Sequence, residues 1–271
     1  MIYNLKYDTA YGRFGINVSQ SDDKIKIDEN AIRVYNQADA STIDWSGVSI
    51  VIESSGVNTS IEEASKHLRV NNGPSKVIIA GSSPDAPCLI YGINNESINL
   101  NKCEVISCGS PVTNCVAPIC IVDGPREYLR KGRAACKNII PVSLNDNNEL
   151  TKVFPEYDGK INGIIIHIPT VNVAALDLTF RTEQPFEYSV VIDTFTQLAN
   201  SDLKGIVDVT EEELVSKDFV GNPHAATIDV NSGIALNKNF MKIVAWQDNE
   251  FGYSNRVLDI VQSVLNNNSH N

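Results

Sequence analysis

No apolar run in the 271-residue sequence approaches the roughly 18 residues that a membrane-spanning helix needs. Gly163-Ile164-Ile165-Ile166 is typical of its longest stretches, and a soluble protein is expected. Positive charge is also in deficit. Lys and Arg number 22 against 33 Asp and Glu, a net charge of −11, so the basic footprint that grips phosphate backbones or anionic lipid is missing. Neither nucleic acid nor a membrane is an expected partner. The small basic group Arg126, Arg130, Lys131 and Arg133 reads as a solvated loop that meets a neighbouring subunit or an acidic face. Six cysteines, at 88, 103, 108, 115, 120 and 136, are too sparse for a disulfide framework, and none forms a C-x-x-C pair. Reduced thiols are expected. Four histidines, at 67, 167, 224 and 270, show no ligand spacing, so no metal site is expected. The opening residues Met1-Ile2-Tyr3-Asn4-Leu5-Lys6-Tyr7-Asp8 carry no basic-then-apolar leader, which points to the cytoplasm.

What is present early is a set of short apolar runs bounded by turn residues: Val48 to Glu53, Lys76 to Gly81, and Glu104 to Ser107. Runs of this kind are strands buried on both faces. Between the first two, Thr59 to Leu68 reads as a Thr- or Ser-capped amphipathic helix with acidic residues in its first turn. Strand, helix and strand in that rhythm predict a parallel βαβ unit. After about residue 115 the pattern changes to longer strands at Gly163 to Pro169, Val173 to Arg181 and Met241 to Gln247. Helices are predicted near Tyr188 to Asn200 and Thr210 to Ser216, giving an α+β region with a mostly antiparallel sheet. Val257, Ile260, Val261 and Val264 stand at helical spacing, so a terminal amphipathic helix is expected over Ser254 to Asn267.

Several strings carry a more specific signal. They include Asp39-Ala40-Ser41-Thr42-Ile43-Asp44-Trp45, Glu53-Ser54-Ser55-Gly56-Val57, Ser83-Pro84-Asp85-Ala86-Pro87 and Thr113-Asn114-Cys115-Val116-Ala117-Pro118. Further on come Val122-Asp123-Gly124-Pro125, Asn138-Ile139-Ile140-Pro141, Pro169-Thr170-Val171-Asn172-Val173 and the block Trp246 to Arg256. In this order and at these separations the chain resembles the glyceraldehyde-3-phosphate dehydrogenase family over nearly its whole length. The resemblance implies an incomplete Rossmann-type parallel-sheet domain at 1–114 with 251–271, and a catalytic-type α+β domain at 115–250. It also implies a chemistry. A cysteine thiolate attacks an aldehyde, a histidine acts as base, hydride passes to NAD and phosphate releases the acyl group.

Against that pattern, the chain departs at each chemical requirement. Met1 aligns past the family's Gly-rich pyrophosphate turn, so about 40 residues, one βα unit and a strand, have no counterpart. The family's Ser-Cys-Thr-Thr-Asn-Cys falls without a gap on Ser110-Pro111-Val112-Thr113-Asn114-Cys115, which puts Pro111 at the nucleophile position. Ala117-Pro118-Ile119-Cys120-Ile121 runs directly into Val122-Asp123-Gly124-Pro125, so about 25 residues that hold the catalytic histidine, two phosphate-binding threonines and a strand are missing. The second domain's sheet is therefore expected to be narrower or locally repaired. His167 replaces the arginine of an anion site, and Leu144-Asn145 replaces a Thr-Gly pair.

Asn249 and Tyr253 match the residues that orient the nicotinamide in the family, and Gly56 with Ser55, which stands where the family usually has Thr, are the other candidates on the cofactor side. Asn249 and Tyr253 sit in a block that also joins the domains, so packing alone accounts for them equally well. Ser110, Thr113 and Arg133 match on the substrate side. No catalytic residue is assigned. The expected reading is a catalytically inactive family member, with NAD bound weakly or not at all. It would assemble as a homo-oligomer or with an active homologue. The alternative is the NAD-dependent phosphorylating dehydrogenase of glycolysis, either from an incomplete gene model or with its nucleophile relocated to Cys108.

Overall fold

The computed structural model describes residues 2–21, 23–69, 73–92, 94, 98–100, 102–109, 130, 138–143 and 152–268. Before the parallel sheet come a short helix α1 (Ile2–Lys6), a strand pair β1 (Tyr7–Asp8) and β2 (Gly12–Arg13), and a meander of β3 (Val18–Ser21), β4 (Lys24–Ile27) and β5 (Asn30–Arg33). The meander leaves little apolar trace in the sequence. Its strands are short and largely polar, and only Val18 and Ile25 of it are buried.

Three of the expected strands form one parallel sheet in the order β6 (Ile50–Glu53), β7 (Lys76–Ile79), β8 (Val105–Ser107). Central β7 is buried at all four positions, as a strand paired on both edges and covered on both faces must be. Its first residue, Lys76, is satisfied inside by the carbonyls of Leu100 and Cys103. The helix expected over Thr59 to Leu68 is shorter than its pattern: α2 (Ile61–Ala64) passes into a 3-10 turn at Ser65–Arg69. Ser60 caps it by accepting from the Glu63 N–H at 3.3 Å.

The second region opens with an antiparallel pair of β9 (Ile140–Ser143) and β10 (Ile164–His167). Next come β11 (Ala174–Arg181), helix α3 (Tyr188–Asn200), β12 (Val207–Thr210), β13 (Ala226–Asn237) and β14 (Phe240–Gln247). Their four-stranded sheet runs β11-β14-β13-β12, antiparallel except between β12 and β13. Ile192 of α3 packs with Ile228, Ile243 and Ala245 as its core. The helix expected at Thr210 to Ser216 is absent. Thr210 ends β12 and its Oγ1 accepts from the Glu212 N–H at 3.1 Å, a local turn that competes with helix, and a 3-10 turn follows at Ser216–Phe219. Among the described residues the two sheets of this region stay separate.

Helix α4 (Phe251–Asn268) folds back on the parallel sheet. Val257, Ile260 and Val264 meet Ile78, Leu89, Leu100, Ile106 and Cys108, so one apolar stripe closes the first region's core with the chain's last helix. Ile260→Ala should therefore lower stability by about 2–5 kcal/mol. In urea unfolding its midpoint should fall with little change in slope.

Candidate functional site

The carboxyl ends of parallel strands are where α/β sheets place ligands, because side chains and loops converge there. Ser55 and Gly56 lie just past the end of β6, after Ser54, and Gly109 lies just past β8, after Cys108. The Ser55 turn is organised by a residue that sequence reasoning passed over as a site, Glu53. Its buried carboxylate accepts from the Ser55 N–H at 2.6 Å, the Asn58 amide at 3.1 Å and the His67 ring Nε2 at 2.8 Å. Burial pushes the Glu53 carboxyl up, but the bonds from Ser55, His67 and Asn58 outweigh it and hold it below the ordinary range. The available signal was a lone acid closing an otherwise apolar strand. Gly56 has φ 74°, the left-handed region that glycine enters without steric cost. The Ser55 hydroxyl faces its own turn and accepts from the Val57 N–H at 3.2 Å.

Asn249 and Tyr253 flank the start of α4. Tyr253 reaches the parallel-sheet end, its hydroxyl donating to the Gly109 carbonyl at 3.1 Å, and its ring packs on the core beneath α4. Asn249 is 5% exposed. Between them in importance, though not in the expected set, stands Asp248. It is 0% exposed and accepts from the N–H groups of Gly221 (2.8 Å), Glu250 (3.0 Å) and Phe251 (2.9 Å), from the Tyr11 hydroxyl (2.8 Å) and from the Asn172 amide (3.0 Å). Burial alone would raise its pKa. The Gly221 and Phe251 N–H groups, with Tyr11 and Asn172, overcome that and lower it. The Tyr11 hydroxyl is pushed up by its own burial and by the facing Asp248 carboxylate.

Ser110, Thr113 and Arg133, together with Pro111, lie outside the described residues. Cys108 is described, and its surroundings are apolar. It is 6% exposed in the cluster under α4, and burial, with Cys88 nearby, pushes its thiol up to about 12. His167 ends β10 opposite Ile140. Among the described residues no group of three or more His, Cys, Asp or Glu could hold a metal ion, and no helix is long and apolar enough to cross a membrane.

Whether these residues fit NAD divides by the cofactor's two ends. Of the two residues that the resemblance assigns to the nicotinamide, Tyr253 stands at the carboxyl end of the parallel sheet, committed to the Gly109 carbonyl, and Asn249 is buried beside Asp248 in sequence. For the pyrophosphate, the described residues contain no strand leading through a Gly-rich turn into a helix N-terminus; residues 2–33 form α1 and short antiparallel strands instead.

Two outcomes follow from the carboxylates. Asp248→Asn removes a charge that five donors surround and should cost about 2–4 kcal/mol in denaturant unfolding. Glu53, Asp229 and Asp248 all sit below the ordinary carboxylate range, so the folded state binds fewer protons there than the unfolded chain. Their contribution is complete above the unfolded values of ~4 and is lost as pH falls through the lowered native ones. An acid titration followed by circular dichroism should show a plateau near neutrality and unfolding below ~4, and Asp248→Asn should flatten that dependence.

Comparison with known proteins agrees with this arrangement. The family model described as glyceraldehyde 3-phosphate dehydrogenase, C-terminal domain, matches residues 107–249, and its NAD binding domain counterpart matches residues 1–61. Glyceraldehyde-3-phosphate dehydrogenase B of Aspergillus oryzae is 39% identical over 286 residues, covering 95% of this chain and 84% of that protein. The Danio rerio glyceraldehyde-3-phosphate dehydrogenase is 39% identical over 289 residues, covering 96% and 86%. The mouse testis-specific enzyme is 38% identical over 290 residues, covering 97% of this chain and 66% of that longer protein. By its two family-model matches and by identity over nearly its whole length, the chain belongs to the glyceraldehyde-3-phosphate dehydrogenase family.

Proposed function

We propose that this family member does not carry out the dehydrogenase reaction, and that its role is to bind and assemble, as a homo-oligomer or with an active homologue. The observation that carries the reading is Cys108. A family nucleophile works as a thiolate, and burial in an apolar cluster pushes the Cys108 thiol up to about 12, away from the thiolate form at neutral pH. It lies in an apolar cluster with Ile78, Leu89, Leu100 and Ile106, and no His, Asp or Glu belongs to that cluster among the described residues. The gap-free alignment that puts Pro111 at the nucleophile position, and the direct passage from Ala117-Pro118 to Val122-Asp123, support the same reading from the sequence. His67, the buried histidine of the first region, is engaged by Glu53 at 2.8 Å, which leaves it a structural part of the Ser55 turn.

Asn249 and Tyr253 are explained on this reading by packing. NAD, where it bound, would find only its nicotinamide end recognised, and the cofactor's hydride-accepting chemistry would have no thiolate adduct to draw from.

The test is calorimetric titration of the full chain with NAD, with NADH formation followed on glyceraldehyde-3-phosphate and phosphate in the same preparation. Neither heat nor NADH is expected. Turnover that vanishes in Cys108→Ser would overturn the proposal and establish the relocated nucleophile. Mass-mapped labelling with iodoacetamide gives an independent measure: Cys108 should stay unmodified in the native chain and react on unfolding.

A further inference from the structure

We propose that Asn162 is a site of spontaneous, backbone-assisted deamidation, which converts its amide to a carboxylate at the head of β10 without any enzyme. The site is a single peptide unit, and it holds or falls independently of the catalytic reading above. Asn162 precedes Gly163, and a following glycine has no Cβ to crowd the approach of its own nitrogen. The Gly163 N–H donates to the Asn162 Oδ1 at 2.8 Å, so the backbone nitrogen already lies against the side-chain carbonyl that it must attack. Rotation about the Cβ–Cγ bond turns that hydrogen bond into an approach on Cγ. Solvent reaches the site as well: residues 155–160 are all exposed, and so are Asn162 and Gly163. Between the 3-10 turn at Pro155–Tyr157 and β10 the chain forms neither helix nor strand, so no ladder opposes the closing ring.

The Gly163 nitrogen gives its proton to hydroxide and bonds to Asn162 Cγ. The Cγ–Nδ2 bond breaks, and Nδ2 takes a proton from water and leaves as ammonia, restoring the hydroxide. Water then opens the cyclic succinimide at either carbonyl, which gives aspartate or isoaspartate. No oxidant, reductant or cofactor takes part. Either product adds a negative charge to a chain that already carries −11, immediately before Ile164, which pairs with Ser143. Isoaspartate also routes the backbone through its side-chain carbon, lengthening the chain where the β9–β10 register begins. Asn172 supplies an internal contrast. The Val173 N–H donates to its Oδ1 at 2.7 Å, nearly the same contact. There, however, a branched side chain shields the nitrogen, and the Asn172 amide is held by the Tyr11 hydroxyl at 2.9 Å and the Asp248 carboxylate at 3.0 Å, so its Cγ cannot turn.

Cleavage after Lys160 and Arg181 releases one peptide that holds both Asn162 and Asn172, so each chain carries its own control. The full chain is kept folded at mildly alkaline pH, sampled over time, and digested beside a fresh sample. Fragment masses should show Asn162 converting to the heavier acid while Asn172 stays an amide, at a rate that rises with hydroxide concentration. The converted peptide should accept a labelled methyl group from an isoaspartyl methyltransferase. Gly163→Val should slow conversion by about tenfold or more, because its branched side chain shields the attacking nitrogen. The native chain should convert at Asn162 as readily as the same chain unfolded in urea, a comparison that needs no variant to fold. An Asn162 that stays intact in the native chain while the unfolded one converts, that lasts as long as Asn172, or that is lost as fast in Gly163→Val would overturn the proposal.

Discussion

A single buried carboxylate ties the molecule together. Asp248 accepts hydrogen bonds from the segment before the meander through Tyr11, from the loop before β11 through Asn172, from Gly221 between β12 and β13, and from the first turn of α4. Each donor would be costly to strand away from water, and so would the charge without its donors. Because its oxygens also bond the N–H groups of Glu250 and Phe251, Asp248 caps α4 and fixes where that helix leaves β14. The direction of α4 in turn decides whether Val257, Ile260 and Val264 reach the parallel sheet at all. The constraint therefore passes from one side chain to the core of the first region.

That chain of dependence explains why the block from Trp246 to Arg256 keeps its family identity without any appeal to a cofactor. Trp246 donates to Asp229 at 3.0 Å and stacks on Phe219 with ring centroids 5.3 Å apart. A Cβ on Gly252 would lie 2.5 Å from the His224 carbonyl oxygen, closer than real contacts allow, so that position admits only glycine. Tyr253 bonds Gly109, and Asp248 holds the four segments together. Nearly every residue of the block has a packing or hydrogen-bonding duty in this fold. A family motif is held in place by the fold as well as by any chemistry its residues serve.

How far the sequence could be read follows from what kind of signal each feature leaves. Strands β6, β7 and β8 and helices α3 and α4 are legible because burial writes a periodic apolar pattern, and tertiary packing agrees with it. The stretch from Thr210 to Ser216 misleads because Glu211-Glu212-Glu213 looks like an acidic first turn, whereas the Thr210 hydroxyl takes the Glu212 N–H into a turn. The meander is nearly invisible, since its strands bury almost nothing and owe their form to pairing between neighbours. At the site, Ser55, Gly56, Asn249 and Tyr253 could be named from the resemblance. The carboxylates beside them could not: Asp248 acts chiefly on backbone N–H groups, which carry no residue identity, and Glu53 draws on Asn58 and His67, which only folding brings to it.

The same asymmetry separates loss of chemistry from loss of structure. A nucleophile depends on a few atoms, a proton acceptor and a polar approach, so its requirements are narrow. A core position asks only for volume and apolarity, so Cys108 can lie under α4 as a small hydrophobe at no cost to the fold.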